Sequence, residues 1–131
     1  MKQILLIAVV FFLVAGCIDM NLDLSNTINT ETARKVAYES LSDDEKASLT
    51  LDWKNTSVVI GYYKYTDCGH SFISNSNELK CFSTINSDIK FKNLQHLGAV
   101  VFQTKDDALL GPIIVIVDSQ SNTVVGFVVR N

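Results

Sequence analysis

The chain has 131 residues, is 47% hydrophobic and 19% charged, and carries 11 basic against 14 acidic residues, a net charge of −3. A chain of this length suits one compact domain with a real core. With no clustered basic face, nucleic acid is not an expected partner, and no polybasic segment offers a hold on anionic lipid.

The first 16 residues read as an export signal. Lys2 precedes an apolar run from Ile4 to Ala15 that ends in small residues, the order of charged region, hydrophobic region and cleavage site. The run is too short to span a bilayer, which takes ~20 apolar residues. Its end, Leu13-Val14-Ala15-Gly16-Cys17, resembles the lipobox of bacterial lipoproteins. That resemblance implies a diacylglyceryl group on the Cys17 sulfur, cleavage after Gly16, and Cys17 as the first mature residue. Two acyl chains give a stable membrane anchor where one gives a marginal hold. Residues 17–29, rich in Asn, Asp, Ser and Thr, then read as a lipidated flexible tether reaching ~45 Å at full extension. Residues 30–131 form a single small domain. Ile18 rather than Asp follows Cys17, so the resemblance implies no retention at an inner membrane. The expected location is the outer face of the cytoplasmic membrane or the outer membrane.

Within the domain, Ala33, Val36, Ala37 and Leu41 fall at helical spacing, and Asn29 or Thr30 can cap the first amides. Ser42-Asp43-Asp44-Glu45 has the capping-box form, predicting a second short helix to about Ser48. Its carboxylates complement the helix dipole. After Trp53 the composition turns to β-branched and aromatic runs between Asn, Ser, Asp and Gly. Strands are predicted at 57–66, more weakly at 79–85, and at 98–104, 113–117 and 123–129, the last two joined as an antiparallel hairpin by the loop 118–122. Ile113-Ile114-Val115-Ile116-Val117 is apolar at every position. Such a strand is covered on both faces, or covered on one and paired with a partner on the other. Asp106-Asp107 reads as a turn between strands. The expected fold class is α+β: an N-terminal helix and a short second helix packed on a curved antiparallel sheet of four to five strands.

The apolar strand ending in Val117-Asp118, the turn, and Val124-Val125-Gly126 resemble the strand-turn-strand of the PepSY-like and cystatin-like families. The resemblance implies a helix laid on an antiparallel sheet, in small exported proteins that inhibit proteases or bind partners. It spans about the last 30 residues, and the Gln-x-Val-x-Gly segment of the cystatin inhibitory loop is absent here.

Lipid on Cys17 leaves Cys68 and Cys81 as an even pair in a compartment where disulfides persist, and a bond between them would contribute about 3 kcal/mol. The polar segment 69–80 between them reads as a constrained loop and a contact surface, with Phe72 and Ile73 as apolar anchors. Tyr63 and Tyr65 share a strand face with Gly61 while Tyr62 points the other way, so these two tyrosines are either a peptide- or glycan-binding face or core aromatics. Cys68, His70, Cys81 and His96 lack the spacings of known zinc sites, and a Cys68 nucleophile with His70 or His96 as base would have to stay reduced beside Cys81. No metal, cofactor or catalytic residue is assigned.

The expected function is a non-enzymatic, membrane-tethered binding module with a protein or peptide partner, its other contact being membrane lipid through Cys17. The alternatives are a small hydrolase or metal-dependent enzyme using the Cys68, His70 and Cys81 region, and a structural envelope protein. An uncovered apolar sheet face formed by parts of 113–117 and 123–129 would favour a binding groove or a dimer.

Overall fold

The computed structural model describes residues 26–130. The export signal, Cys17 and most of the tether lie outside them. Two helices open the domain, α1 (Thr30–Glu39) and α2 (Asp43–Ser48). Asn29 caps α1 through its side chain, which accepts from the Thr32 amide at 3.1 Å. Ser42 and Glu45 close the capping box of α2, with the Glu45 amide donating to Ser42 Oγ and the Ser42 amide to Glu45 Oε1.

A short 3-10 turn (Trp53–Asn55) leads into β1 (Ser57–Thr66), β2 (Gly69–Ser74), β3 (Leu79–Cys81), β4 (Ser83–Thr84), β5 (His96–Phe102), the short helix α3 (Asp107–Leu110), β6 (Ile113–Asp118) and β7 (Val124–Phe127). The strands pair antiparallel in the order β3-β2-β1-β5-β6-β7-β4. β3 and β4 occupy opposite edges of that order, yet only Phe82 separates them in the chain. One residue cannot cross a flat sheet of seven strands that lie ~4.8 Å apart. The sheet therefore curls until its two edges meet at Phe82, giving a near-barrel.

This corrects the expected α+β arrangement of helices on an open sheet of four to five strands. The fold is mostly β, with seven strands and three short helices among the described residues. Two local misreadings account for the difference. The polar segment after Cys68, expected as a loop, begins with β2, joined to β1 by a tight turn at Asp67 and Cys68, with Gly69 at φ 95°. The stretch 79–85, expected as one weak strand, is two short strands on opposite edges.

The curl gives the sheet an inside and an outside. Inside lie Tyr63, Phe72, Phe82, Leu97, Ile114 and Ile116, and outside, Ala33 and Ala37 of α1 pack on Val100, Phe102, Val115 and Val117. Alternate residues of β6 supply both layers, and the whole strand is buried. Two glycines make room for inward rings. A Cβ on Gly61 would lie 2.7 Å from the Phe72 ring, and one on Gly126 would lie 2.6 Å from the Phe82 ring, so each strand approaches its aromatic neighbour where only glycine fits.

The chain enters the domain across the middle of the sheet. Asn26 Nδ2 donates to the carbonyls of Gly61 (2.8 Å) and Leu97 (2.9 Å), on neighbouring strands β1 and β5. Ile28 follows, buried in the outer layer.

At the end of β6, Asp118 organises the loop to β7. Its carboxylate accepts from Gln95 Nε2 (2.7 Å) and from the Ser121 amide (2.8 Å) and hydroxyl (2.6 Å). Burial pushes this carboxyl up, but the hydrogen bonds from Ser121, Gln95 and the Gln120 backbone outweigh it and hold its pKa below the ordinary value. Because the folded value lies below the unfolded one, the stabilisation is complete above the unfolded pKa of about 3.9 and is lost as pH falls through the folded pKa. Asp118→Asn is expected to lower stability by about 1–3 kcal/mol at pH 7. The gap from wild type should narrow below about pH 4; urea denaturation of both proteins at pH 7 and pH 3 measures it, and a gap that stays constant refutes the assignment.

Candidate functional site

Cys68, Cys81, His70, Tyr63 and Tyr65 gather at one corner of the barrel. Cys68 and Cys81 form a disulfide, with Cα atoms 6.1 Å apart, tying the β1–β2 turn to edge strand β3. Ser71 lies fully buried beneath it, with Oγ 2.6 Å from Thr66 Oγ1 and donating to the Gly69 carbonyl at 3.1 Å. Phe72 is 2% exposed and points into the barrel, so it belongs to the core and offers no contact surface. Ile73 is half-buried on β2.

Tyr63 is buried as well, stacked on Phe91 at 4.3 Å and edge-on to Phe82 at 6.3 Å. Its hydroxyl shares a 2.8 Å hydrogen bond with His70 Nδ1. Burial, and then the neighbouring Tyr65, push the Tyr63 phenol above its ordinary pKa. Tyr65, two residues on, is 69% exposed with its ring edge against His70. Of the pair on this face, one tyrosine is core and one is surface.

The thiols are held by each other and His70 by Tyr63. His96 sits on β5 opposite Tyr62. Among the described residues no three His, Cys, Asp or Glu side chains converge as metal ligands. Asp107 opens α3 and accepts from the Thr104 amide (2.9 Å) and hydroxyl (2.8 Å), which stabilises a bend in the chain. Asp106 precedes it without a side-chain cap bond.

A different part of the molecule has the shape of a binding site. α1 covers the outer face of the sheet over β5 and β6 but stops short of β7 and β4. The uncovered strip forms a groove of about 420 Å³ between Leu41 and Glu45 on one side and Ile85, Phe127 and Val129 on the other, floored by Val115 and its neighbours. Ile85, Phe127 and Val129 are 54%, 44% and 57% exposed, an apolar surface that folding alone leaves in water. The sequence pointed to this strand pair but not to these side chains. Phe127 and Val129 continue the apolar run of β7, and only the reach of α1 across the sheet decides that they stay uncovered.

A second, open and polar cleft of about 750 Å³ lies where the chain enters, lined by Thr27, Lys92, His96 and Ser119 among others. Among the described residues no helix is long and apolar enough to cross a membrane.

The chain matches no family model, no curated protein and no solved structure.

Proposed function

We propose that this protein is a membrane-tethered, extracytoplasmic binding module, anchored through lipid on Cys17 and binding a protein or peptide partner without catalysing a reaction. The observation that carries the reading is the uncovered apolar strip beside α1, with Phe127 and Val129 in solvent. The Val14-Ala15-Gly16-Cys17 ending of the export signal supports the anchor. The chemistry-bearing side chains support binding over catalysis, since Cys68, Cys81 and His70 are engaged in structure. Tethering raises the effective concentration of the groove at the membrane surface, so a weak contact there suffices for occupancy.

Three measurements test the two halves. Cys17→Ser should move the protein from the membrane fraction to the soluble one, and intact mass of the native product should show a chain beginning at Cys17 and bearing fatty acyl groups. A photocrosslinking residue at position 127 should give a discrete adduct in intact cells where the same residue at position 65 gives none. A full-length unlipidated chain refutes the anchor, and equal or absent crosslinking at the two positions refutes the groove.

A further inference from the structure

Three properties of the groove specify what fills it. The first is an open backbone edge. Ser83 of β4 pairs with Phe127 and the chain then leaves through Phe82, so nothing in β4 continues beside residues 128–130. Val128 donates inward to the Ile114 carbonyl at 3.0 Å, while the Val129 amide and carbonyl have no backbone partner among the described residues. The second is side-chain spacing. Phe127 and Val129 are two apart and both exposed, as on one face of a strand.

The third is charge. Glu45 lines the groove, and the nearby Glu39, Asp43 and Asp44 are exposed. The cation of α2, Lys46, lies 5.1 Å from the centre of the Tyr38 ring. Across the groove, Arg130 is already bound, donating to the Gly111 carbonyl and Thr104 Oγ1 and lying 3.9 Å from Asp107. Glu45 Oε1 is taken by the Ser42 amide, so the negative charge of this rim comes from the exposed carboxylates of Glu39, Asp43 and Asp44.

We propose that the groove captures an extended peptide segment of another protein, apolar at alternate positions and flanked by lysine or arginine, which adds as a strand along residues 128–130. This rests on the binding-module reading above. Main-chain hydrogen bonds to Val129 supply affinity, and alternate side chains packing on Phe127 and Leu41 supply selectivity. The acidic rim favours cationic flanks and speeds encounter. A second copy is a poor occupant, because face-to-face grooves would oppose two acidic rims. The bilayer is a poor one too. Its anionic headgroups would meet the acidic rim.

The test uses the lipidated full chain in detergent micelles and a fluorescein-labelled decapeptide of alternating valine and threonine with two lysines at each end. A peptide with glutamates in place of the lysines is the control. Anisotropy should show the lysine-flanked peptide binding at least about tenfold more tightly than the control. Phe127→Lys should weaken it by about tenfold or more, and Tyr65→Ala should leave it unchanged. Val129→Pro, which deletes the open amide without adding charge, should abolish binding while the circular dichroism of the domain is preserved. Asp43→Asn with Asp44→Asn should narrow the preference between the two peptides. Equal affinity for both peptides, no saturable binding of either, or binding that survives Val129→Pro overturns the proposal. If it falls while crosslinking at position 127 persists, the binding-module reading stands and only the partner class is wrong.

Discussion

Replacing Phe82 by alanine is expected to lower the stability of the domain by about 3–5 kcal/mol. Phe82 is 6% exposed and is the single residue that carries the chain from one edge of the sheet to the other. Its ring lies edge-on to both Tyr63 (6.3 Å) and Phe91 (5.8 Å), and it fills the space that Gly126 leaves open. Truncation removes the transfer term of a large ring and leaves a cavity that the surrounding strands cannot collapse into, because the backbone on each side is pinned in a ladder. Domains of this size are stable by about 5–15 kcal/mol, so the variant should sit near the unfolding threshold at 37 °C. Urea denaturation measures the loss, and Phe82→Leu should restore a good part of it. A loss under about 1 kcal/mol would mean that the seam is held by the strand ladders and not by this ring.

Breaking the disulfide is expected to be the next largest effect. Cys68 and Cys81 are 13 residues apart in sequence, and closing a loop of that size restricts the unfolded chain by about 3 kcal/mol in the entropy model. Edge strand β3 is three residues long and exposed throughout, so little besides the bond holds it down. Cys68→Ser with Cys81→Ser should lower the melting temperature by on the order of 10–20 °C. Reductant should do the same to the wild type and nothing further to the double variant. Unchanged melting in either arm would show that the unfolded chain is already constrained there.

Local signals in the sequence carried much of the secondary structure. The β-branched and aromatic run after Trp53 marks the strand that runs Ser57–Thr66, and the Ser42 to Glu45 pattern marks α2. The unbroken apolar run of Ile113–Asp118 reflects burial on both faces, one under α1 and one inside the barrel. What local signals did not carry is pairing. Ser71 and Ser74 make β2 look like a loop, because their polarity is satisfied by neighbouring hydroxyls and backbone groups that come near only once the hairpin forms. Leu79 and Ile85 look like ends of one strand because the turn at Phe82 is fixed by partners far away in sequence, β2 for one side and β7 for the other. The groove is harder still to read. Phe127 has the same apolar character as its buried neighbour Val125, and the two differ only in which side of the sheet they face and where α1 ends.

The placement of Asn26 has a mechanical consequence. Its amide bridges the carbonyls of two central strands, β1 and β5, so tension arriving from the N-terminal side enters the sheet at its middle. A pull applied to an outermost strand would unzip its ladder one bond at a time, whereas a pull through Asn26 loads its two hydrogen bonds together. Were the domain held through its first residues, as proposed, the load would reach these central strands before the outer seam at Phe82.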